Sequence, residues 1–448
     1  MGYTPHTDAD KEQMLGALGL HSVDDLFRHV PPSLRSQAKI GLPDGLSEPA
    51  VRRALGALAA KNAAANEWEF FLGGGIYHHF IPSAVDAIVS RSEFSTSYTP
   101  YQPEVSQGTL QALFEYQTLI CQLTGMEVSN AGVYDGASAA AEAVLMARRI
   151  QPETRRRVLV SRALHPEYRA VVATYLRSLT DLGLEEVPYD AAGATDVEQL
   201  ARQVNDRTMC VLVGYPNFFG VIEDLGRLRE LCERAGAHLI TATTEPLALG
   251  LLKPPGAYGV DIAVGEGQSL GVPMALGGPG FGFFATQRKF MRNLPGRLVG
   301  QTVDTEGARG YVLTLATREQ HIRREKATSN ICTSQTLCTT AATVYMALMG
   351  KTGLRRLAEI NVQRAHEAQE LLRFGARLED RFTGPFFNEF VIKVKQVDDL
   401  MRRCSEQKII PGIALARWYP ELADCLLVCA TEMNDREGIS RLGHAVSG

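Results

Sequence analysis

The middle of the chain alternates short, continuous apolar runs with segments of helical character. This pattern is typical of a mainly parallel β-sheet whose two faces are both covered by helices. We therefore expect residues 66–330 to form a large α/β domain built around such a sheet. The apolar runs span residues 156–164, 184–189, 209–217, 238–242, 260–266 and 281–286.

Two regions of different character flank this domain. Residues 1–65 show helical and irregular patterns without a strand signal, which predicts an arm that wraps a larger body, its own or a partner's. A poorly ordered tail is the alternative. Residues 331–448 contain helical segments near 335–350 and 353–374, two strand runs and a terminal helix. They predict a smaller C-terminal α+β domain.

The composition excludes several classes of protein. A net charge of −4 argues against a nucleic-acid partner, which normally requires a basic surplus. No apolar run reaches the roughly 18 residues of a membrane helix, and the acidic N-terminus does not resemble a signal peptide. Eight cysteines without a CxxC pair predict reduced structural thiols and no metal site. We expect a cytoplasmic protein.

A short loop combines aromatic and polar side chains between two prolines, in the sequence Tyr-Thr-Pro-Tyr-Gln-Pro-Glu. The prolines restrict the backbone and lower the entropy cost of ordering the loop. Exposed, stiff aromatic residues often face a partner or a pocket, although a plain surface loop is also possible. The candidate binding residues here are Tyr98, Tyr101, Gln102 and Glu104.

A second polar segment follows a charged, helix-like stretch at residues 318–326. Its residues Thr328, Ser329 and Asn330 carry hydroxyl and amide donors that suit a phosphate. The charged stretch itself is typical of a solvated helix face. Two further candidates stay open. Ser138 lies at the start of a helix, where it indicates either an anion-binding site or an ordinary N-cap. The glycines at 265–280 would either let the backbone approach a ligand closely or allow a tight reversal of the chain.

Three motifs together resemble one family. The Tyr98–Glu104 loop, VPMALGGPG at 272–280 and REQHIRREKATSNICT at 318–333 resemble the N-terminal half of the glycine cleavage system P-protein. The resemblance runs through nearly the whole chain. It implies the pyridoxal-phosphate (PLP)-dependent aspartate-aminotransferase fold, fold type I. Family members are one chain of about twice this length or two subunits, and this length matches the first subunit.

The resemblance also exposes two missing groups. Enzymes of this fold anchor PLP through a lysine Schiff base and hold its ring nitrogen with an aspartate. Comparison through the Gly277-Gly278-Pro279-Gly280 turn puts Gln268 at the lysine position, and comparison through residues 259–261 puts Ala242 at the aspartate position. Only ten lysines occur in the chain, and none lies between Lys61 and Lys253. The resemblance therefore implies a pseudo-site without an anchor.

Enzymes of this fold are dimers with active sites at the subunit interface, so the chain is expected to complete the pocket of a second subunit. Subunit 2 would bind PLP covalently. His78 and His79, in a neighbouring glycine-rich loop, would act as acid–base groups or have a structural role. The residues expected to line the partner's pocket are Tyr98, Tyr101, Gln102 and Glu104, and those expected to reach the partner's PLP phosphate are Thr328, Ser329 and Asn330.

The implied reaction is the decarboxylation of glycine, with transfer of the aminomethyl group to the lipoyl arm of H-protein. The expected assembly is a heterodimer or an α2β2 complex with subunit 2. Two other hypotheses remain. The chain is a non-catalytic pseudoenzyme scaffold that stabilises subunit 2 or docks H-protein, or it is an independent PLP enzyme that uses another lysine. The missing aspartate at position 242 disfavours the last.

Overall fold

The computed structural model describes residues 5–38, 41–275 and 278–447. Gly277, part of the turn used to compare the lysine position, lies outside the described residues. The strands are β1 (Glu69–Phe70), β2 (Val128–Ser129), β3 (Arg157–Ser161), β4 (Gly183–Val187), β5 (Thr208–Gly214), β6 (His238–Thr243), β7 (Ile262–Glu266), β8 (Gly282–Thr286), β9 (Leu298–Val303), β10 (Arg309–Thr314), β11 (Glu379–Asp380), β12 (Glu389–Lys393), β13 (Ile409–Ile410), β14 (Ile413–Ala414) and β15 (Cys425–Cys429).

Seven of these strands form one sheet in the order β2-β8-β7-β6-β5-β3-β4. The five strands from β3 to β7 pair in parallel, while β8 runs antiparallel to both β7 and β2. Every residue of β5 and β7 is buried, as expected for strands covered on both faces. The predicted mainly parallel α/β sheet is confirmed.

Helices cover this sheet, and α7 (Gly136–Ile150) crosses its centre against β5, β6, β7 and β8. Its small alanine side chains allow close packing on the sheet, in one core cluster with Val160, Ile240 and Phe284. No helix in the described ranges is both long and apolar enough to cross a membrane. The α-helices are α1 (Asp8–Ala17), α2 (Pro32–Gln37), α3 (Glu48–Ala59), α4 (Ser83–Val89), α5 (Ser92–Ser95), α6 (Gln107–Thr124), α7 (Gly136–Ile150), α8 (Pro166–Leu176), α9 (Val197–Gln203), α10 (Leu225–Ala235), α11 (Gln320–Arg323), α12 (Thr336–Glu370), α13 (Val397–Glu406) and α14 (Arg436–Ser447).

A four-stranded sheet, β11-β12-β15-β14, lies in the C-terminal part of the chain and is antiparallel throughout. Helices α12, α13 and α14 share its hydrophobic core. The two helices expected near 335–350 and 353–374 correspond to α12, which is interrupted at Gly350. That residue has φ +59° and ψ −178°, outside the helical region, and glycine reaches a positive φ without strain.

The chain divides into two units, Met1–Ala63 and Ala64–Gly448. The first contains α1, α2 and α3, and none of its described residues is buried. Helix α3 ends at Ala59, and its apolar residues Val51, Leu55 and Leu58 are exposed. The seven-stranded sheet, the four-stranded sheet and the two-stranded pairs β1-β13 and β9-β10 all belong to the second unit. A separate small domain beginning at residue 331 stays a prediction.

Candidate functional site

The predicted aromatic loop lies on the surface between α5 and α6. Tyr98 is 82% exposed and Tyr101 is 54% exposed, while Gln102 and Glu104 also face solvent. The prolines at positions 100 and 103 give the loop its shape, and a single 3₁₀ turn at Pro103–Val105 leads into α6. The loop therefore presents aromatic and polar groups together at the surface of the second unit.

Hydrogen bonds to neighbouring backbone groups of the same chain hold the predicted phosphate-binding segment, Thr328–Asn330. The Thr328 N–H donates to the Arg318 carbonyl at 2.9 Å, and the Ser329 hydroxyl accepts from the Ile331 N–H at 3.0 Å. Asn330 is exposed, whereas Thr328 and Ser329 are half-buried. The segment leaves one amide side chain free to meet a partner. With the aromatic loop it forms what we call the candidate wall: Tyr98, Tyr101, Gln102, Glu104 and Thr328–Asn330.

One residue that the sequence did not single out connects the two parts of this wall. The buried guanidinium of Arg297 donates to the Tyr101 phenol oxygen at 2.8 Å, to the Thr333 hydroxyl at 3.1 Å and to the Cys332 carbonyl. Its only signal in the sequence is the Pro295-Gly296 bend before β9. Arg297 therefore places the aromatic loop beside the segment that follows Asn330.

The charged stretch before this segment is not the helix that its charge spacing predicted. It forms three single turns, at 316–318, 320–323 and 324–326, and Arg324 has φ +53°. The reason is that Arg318 turns inward and donates to the carbonyls of Leu294, Gly296 and Leu315 instead of pairing along a helix. Hydrogen bonds from the Arg318 side chain to backbone carbonyls therefore support the segment that leads into the candidate wall.

Gln268 lies just after β7 and is only 4% exposed. Its side-chain oxygen accepts from the Tyr77 N–H at 2.9 Å, and its amide donates to the carbonyls of Tyr77 at 3.2 Å and Val272 at 2.7 Å. These bonds tie the loop at residues 71–79 to the turn after β7. The amide of Gln268 is therefore committed to the backbone of this chain.

Ala242 lies inside β6, with Gly214 of β5 and Val264 of β7 as its register partners. It is completely buried in the core cluster shared with α7. A methyl group neither donates nor accepts a hydrogen bond. Position 242 therefore contributes packing alone.

The N-terminus of α7 is capped by two carboxylates from this chain. Asp135 accepts from the Ser138 N–H at 2.7 Å, so an N-cap accounts for this motif. Glu266 accepts from the Gly136 N–H at 2.9 Å and from the Phe281 N–H at 3.1 Å, and its burial raises its pKa to about 7. Two N–H donors of the first turn, those of Gly136 and Ser138, are therefore already bonded within the chain.

A group of polar side chains links the seven-stranded sheet to the four-stranded C-terminal sheet. Tyr77 is buried, and its hydroxyl donates to Glu389 at 2.8 Å and lies 3.3 Å from the Thr244 hydroxyl. The Gly74 N–H donates to the other Glu389 oxygen at 2.6 Å. Burial raises the pKa of Glu389 to about 7. This carboxyl group joins the C-terminal sheet to the loop that also holds Gln268.

His79 has a structural environment. Its side chain is 2% exposed and lies between two carboxylates, 2.8 Å from Glu245 and 2.9 Å from Glu432. Burial by itself would lower the pKa of His79, but the two carboxylates outweigh it and raise that pKa to about 10. In contrast, burial lowers the pKa of His78. His79 is thus a buried imidazolium whose two ring nitrogens are both engaged.

Comparison with known proteins decides the family. Residues 1–445 match the family model described as glycine cleavage system P-protein. The chain belongs to the glycine cleavage system P-protein family. A relative from Anaeromyxobacter dehalogenans, named probable glycine dehydrogenase (decarboxylating) subunit 1, is 50% identical over 100% of both chains. The predicted family is confirmed.

Solved structures agree with this P-protein assignment. Glycine decarboxylase (P-protein) of the glycine cleavage system, in an inhibitor-bound crystal structure, has a TM-score of 0.92 and 45% identity, covering 100% of this chain and 99% of that one. A C-DES variant with glycine covalently linked to its PLP cofactor has a TM-score of 0.63 at 15% identity, covering 91% and 99%. The predicted PLP-dependent fold type I is confirmed.

The fit of PLP to this P-protein chain can be judged at three positions. Gln268 cannot form a Schiff base, and its amide is already bonded to backbone. Ala242 offers no carboxylate for a ring nitrogen. At the N-terminus of α7, the Glu266 carboxyl group accepts from the Gly136 N–H, a donor that would otherwise suit a phosphate. The residues present at these positions do not fit a lysine-anchored PLP.

Proposed function

We propose that this chain is the subunit of a heteromeric glycine decarboxylase that does not anchor PLP and is active only with subunit 2. The observation that carries the proposal is the bonding of Gln268. Its side chain fills the expected anchor position with hydrogen bonds to Tyr77 and Val272, so the position is used for folding. A family member of this type needs an anchor from another chain, and subunit 2 supplies the lysine and binds PLP covalently.

The candidate wall is this chain's contribution to the partner's pocket. Tyr98, Tyr101, Gln102 and Glu104 line the pocket around glycine, where phenol and amide groups suit a small substrate with a carboxylate. Thr328, Ser329 and Asn330 reach the phosphate of the partner's PLP. The exposure of Tyr98 and Tyr101 supports this role, because exposed aromatic side chains at a surface favour burial in an interface.

The overall reaction releases CO2 from glycine and leaves an aminomethyl group on the lipoyl arm of H-protein. PLP, when bound by subunit 2, supplies an electron sink for the cleavage of the C–CO2 bond. The residues of this chain bind, orient and shield the substrate. The assembly is a heterodimer or an α2β2 complex in the cytoplasm, and H-protein is its second protein partner.

Reconstitution tests this function. The chain purified alone is expected to show neither lysine-bound PLP absorbance nor glycine–bicarbonate exchange, and co-purification with subunit 2 is expected to bring both. A strong Schiff-base band from this chain alone, abolished by mutation of one of its lysines, would overturn the proposal. Full exchange activity of subunit 2 without this chain would also overturn it.

A wall variant separates participation in the pocket from scaffolding. Asn330→Ala removes an exposed amide and is expected to weaken PLP retention by the heteromer about tenfold while assembly is intact. The matched control is Asn66→Ala, another exposed asparagine of the second unit, which is expected to have no effect. Unchanged PLP affinity and activity for Asn330→Ala would favour the pseudoenzyme scaffold.

A further inference from the structure

Arg297 is a buried cation whose close partners are all neutral. It is 4% exposed, and its three hydrogen bonds go to the Tyr101 phenol, the Thr333 hydroxyl and the Cys332 carbonyl. The nearest carboxylate, Glu319, lies 4.0 Å from its Nε. Because this ion pair lies on the Nε side, the two terminal nitrogens direct their N–H groups at neutral acceptors. One of those donors ends on an exposed phenol.

The backbone around Arg297 holds it in one place. Gly296 has φ +72°, and a Cβ at this glycine would lie 3.1 Å from the Asn130 amide nitrogen, so the bend favours glycine. The Arg297 carbonyl accepts from the Ala131 N–H at 2.9 Å. The guanidinium also lies 5.1 Å from the centre of the Tyr101 ring, within cation–π distance. The Arg297 end of the contact with Tyr101 is therefore fixed.

The direction of this hydrogen bond determines what Tyr101 can do. Since arginine only donates, the phenol oxygen is the acceptor, and the O–H proton of Tyr101 remains to be donated elsewhere. Among the described residues, no acceptor lies within hydrogen-bond distance of that proton. Half of the side chain is exposed. The hydroxyl proton is therefore directed away from Arg297 and remains available to an acceptor from another molecule.

We propose that Arg297 is a positioning residue that aims the Tyr101 hydroxyl at an anionic oxygen in the partner's pocket. The proposal rests on the proposed function, since it places that pocket against the candidate wall. Arg297 polarises the phenol through the bond that it donates, and the phenol then donates a stronger hydrogen bond to the anion. The buried cation also stabilises that anion through the phenol without touching it.

Two groups offer the required anionic oxygen, the carboxylate of glycine and the phosphate of the partner's PLP. Kinetic constants distinguish them. Tyr101→Phe removes the hydroxyl proton but keeps the ring, and the loss of a hydrogen bond to a charged group is expected to change binding by about tenfold. A raised KM for glycine with little change in kcat identifies the carboxylate. A raised dissociation constant for PLP identifies the phosphate.

Arg297→Lys tests the positioning role in the complete heteromer. Lysine keeps the charge but cannot hold three acceptors in a fork, so this variant is expected to change the same constant as Tyr101→Phe and in the same direction. In the double variant this constant is expected to differ by less than about twofold from its value in Tyr101→Phe, because Arg297 acts through Tyr101. If Arg297 had only a structural role, Arg297→Lys would instead lower assembly and kcat. Its effect would then multiply with the effect of Tyr101→Phe in the double variant.

The matched control is Arg309→Lys, an exposed arginine whose guanidinium lies 5.8 Å from the Tyr311 ring, with unchanged constants expected. Unchanged KM and unchanged PLP affinity for Tyr101→Phe would overturn the inference, whatever Arg297→Lys does to folding. Independent effects of the two variants would overturn it as well. The proposed function fails separately, if the wild-type chain adds nothing to subunit 2.

Discussion

Gln268 and Tyr77 are joined by two hydrogen bonds. The Tyr77 N–H donates to the Gln268 side-chain oxygen at 2.9 Å, and the Gln268 amide donates to the Tyr77 carbonyl at 3.2 Å. A lysine at this position could not accept the first of these bonds. The side chain of Gln268 therefore holds the loop at 71–79, and a lysine predicted from the family pattern at this position would lose that contact.

Gln268→Lys is expected to destabilise the chain without giving it a cofactor. The variant loses the bond from Tyr77 and buries an ammonium group among backbone atoms, which costs about 3 kcal/mol of unfolding free energy. Even the double variant Gln268→Lys/Ala242→Asp is expected to show no lysine-bound PLP absorbance, because Glu266 still occupies the N-terminus of α7. Denaturant unfolding and absorbance titration with PLP measure the two effects.

The control for this substitution is Gln111→Lys on α6. Gln111 is exposed, and its amide bonds to Glu115 one turn away, so a lysine there is expected to change stability by less than about 0.5 kcal/mol. Stoichiometric PLP binding by Gln268→Lys would contradict the assignment of Gln268 to folding.

His79→Gln is expected to lower the free energy of unfolding by about 3 kcal/mol at neutral pH. The change leaves Glu245 and Glu432 buried without the cation between them. His366→Gln, an exposed histidine on α12, serves as the control and is expected to have little effect. Equal stability of the wild type and His79→Gln would show that the imidazolium is not needed.

Because the same two carboxylates raise the pKa of His79, the contribution of His79 to the free energy of unfolding is expected to depend on pH. The folded pKa of His79 is about 10, above its ordinary value of about 6.5. Its contribution to stability is therefore complete below about pH 6.5 and is lost as the pH rises through 10. We expect the stability gap between wild type and His79→Gln to narrow from pH 8 to pH 10, measured by chemical denaturation. A gap that widens over this range would contradict the raised pKa.

Glu389→Gln is expected to stabilise the chain above neutral pH. Burial raises the pKa of Glu389 to about 7, so wild-type stability falls as the pH rises from about 4.5 through 7. A glutamine can accept from the Gly74 N–H and donate to the Tyr77 hydroxyl without ionising. The variant is therefore expected to gain about 2 kcal/mol over the wild type between pH 5 and pH 8.

Glu223 provides the matched contrast for this experiment. Burial raises its pKa to about 7 as well, but its carboxylate accepts from the Thr195 N–H, the Thr195 hydroxyl and the Asn217 amide. An amide NH2 at this position would face the N–H donor of Thr195. Glu223→Gln is therefore expected to lose stability at pH 8, and a gain equal to that of Glu389→Gln would show that hydrogen-bond direction does not decide the outcome.

The sequence was sufficient for the central sheet, because β5 and β7 are continuous apolar runs and such runs belong to buried parallel strands. The assignment of Gln268 to the anchor position rests on the neighbouring turn in the sequence and stays a prediction. The sequence misled at 318–326, where Glu–Arg spacings predicted a helix. Arg318 instead satisfies carbonyls of Leu294 and Gly296, which a local pattern does not encode.

Arg297 lay beyond the reach of sequence reasoning for a different reason. It is separated from Tyr101 by 196 positions, and the contact exists only because the bend at Gly296 and the loop before α6 meet in the folded chain. The loop could be predicted from its prolines and tyrosines. The cation that orients it required the structure.

The PLP content of the purified complex shows whether subunit 2 alone anchors the cofactor. The chain alone and its complex with subunit 2 are assayed for bound PLP after gel filtration, together with glycine–bicarbonate exchange as this chain is titrated into subunit 2. We expect no bound PLP in this chain, one PLP per pair of subunits in the complex, and activity that reaches its plateau at equimolar ratio. Two PLP molecules per pair, or activity independent of this chain, would contradict the account.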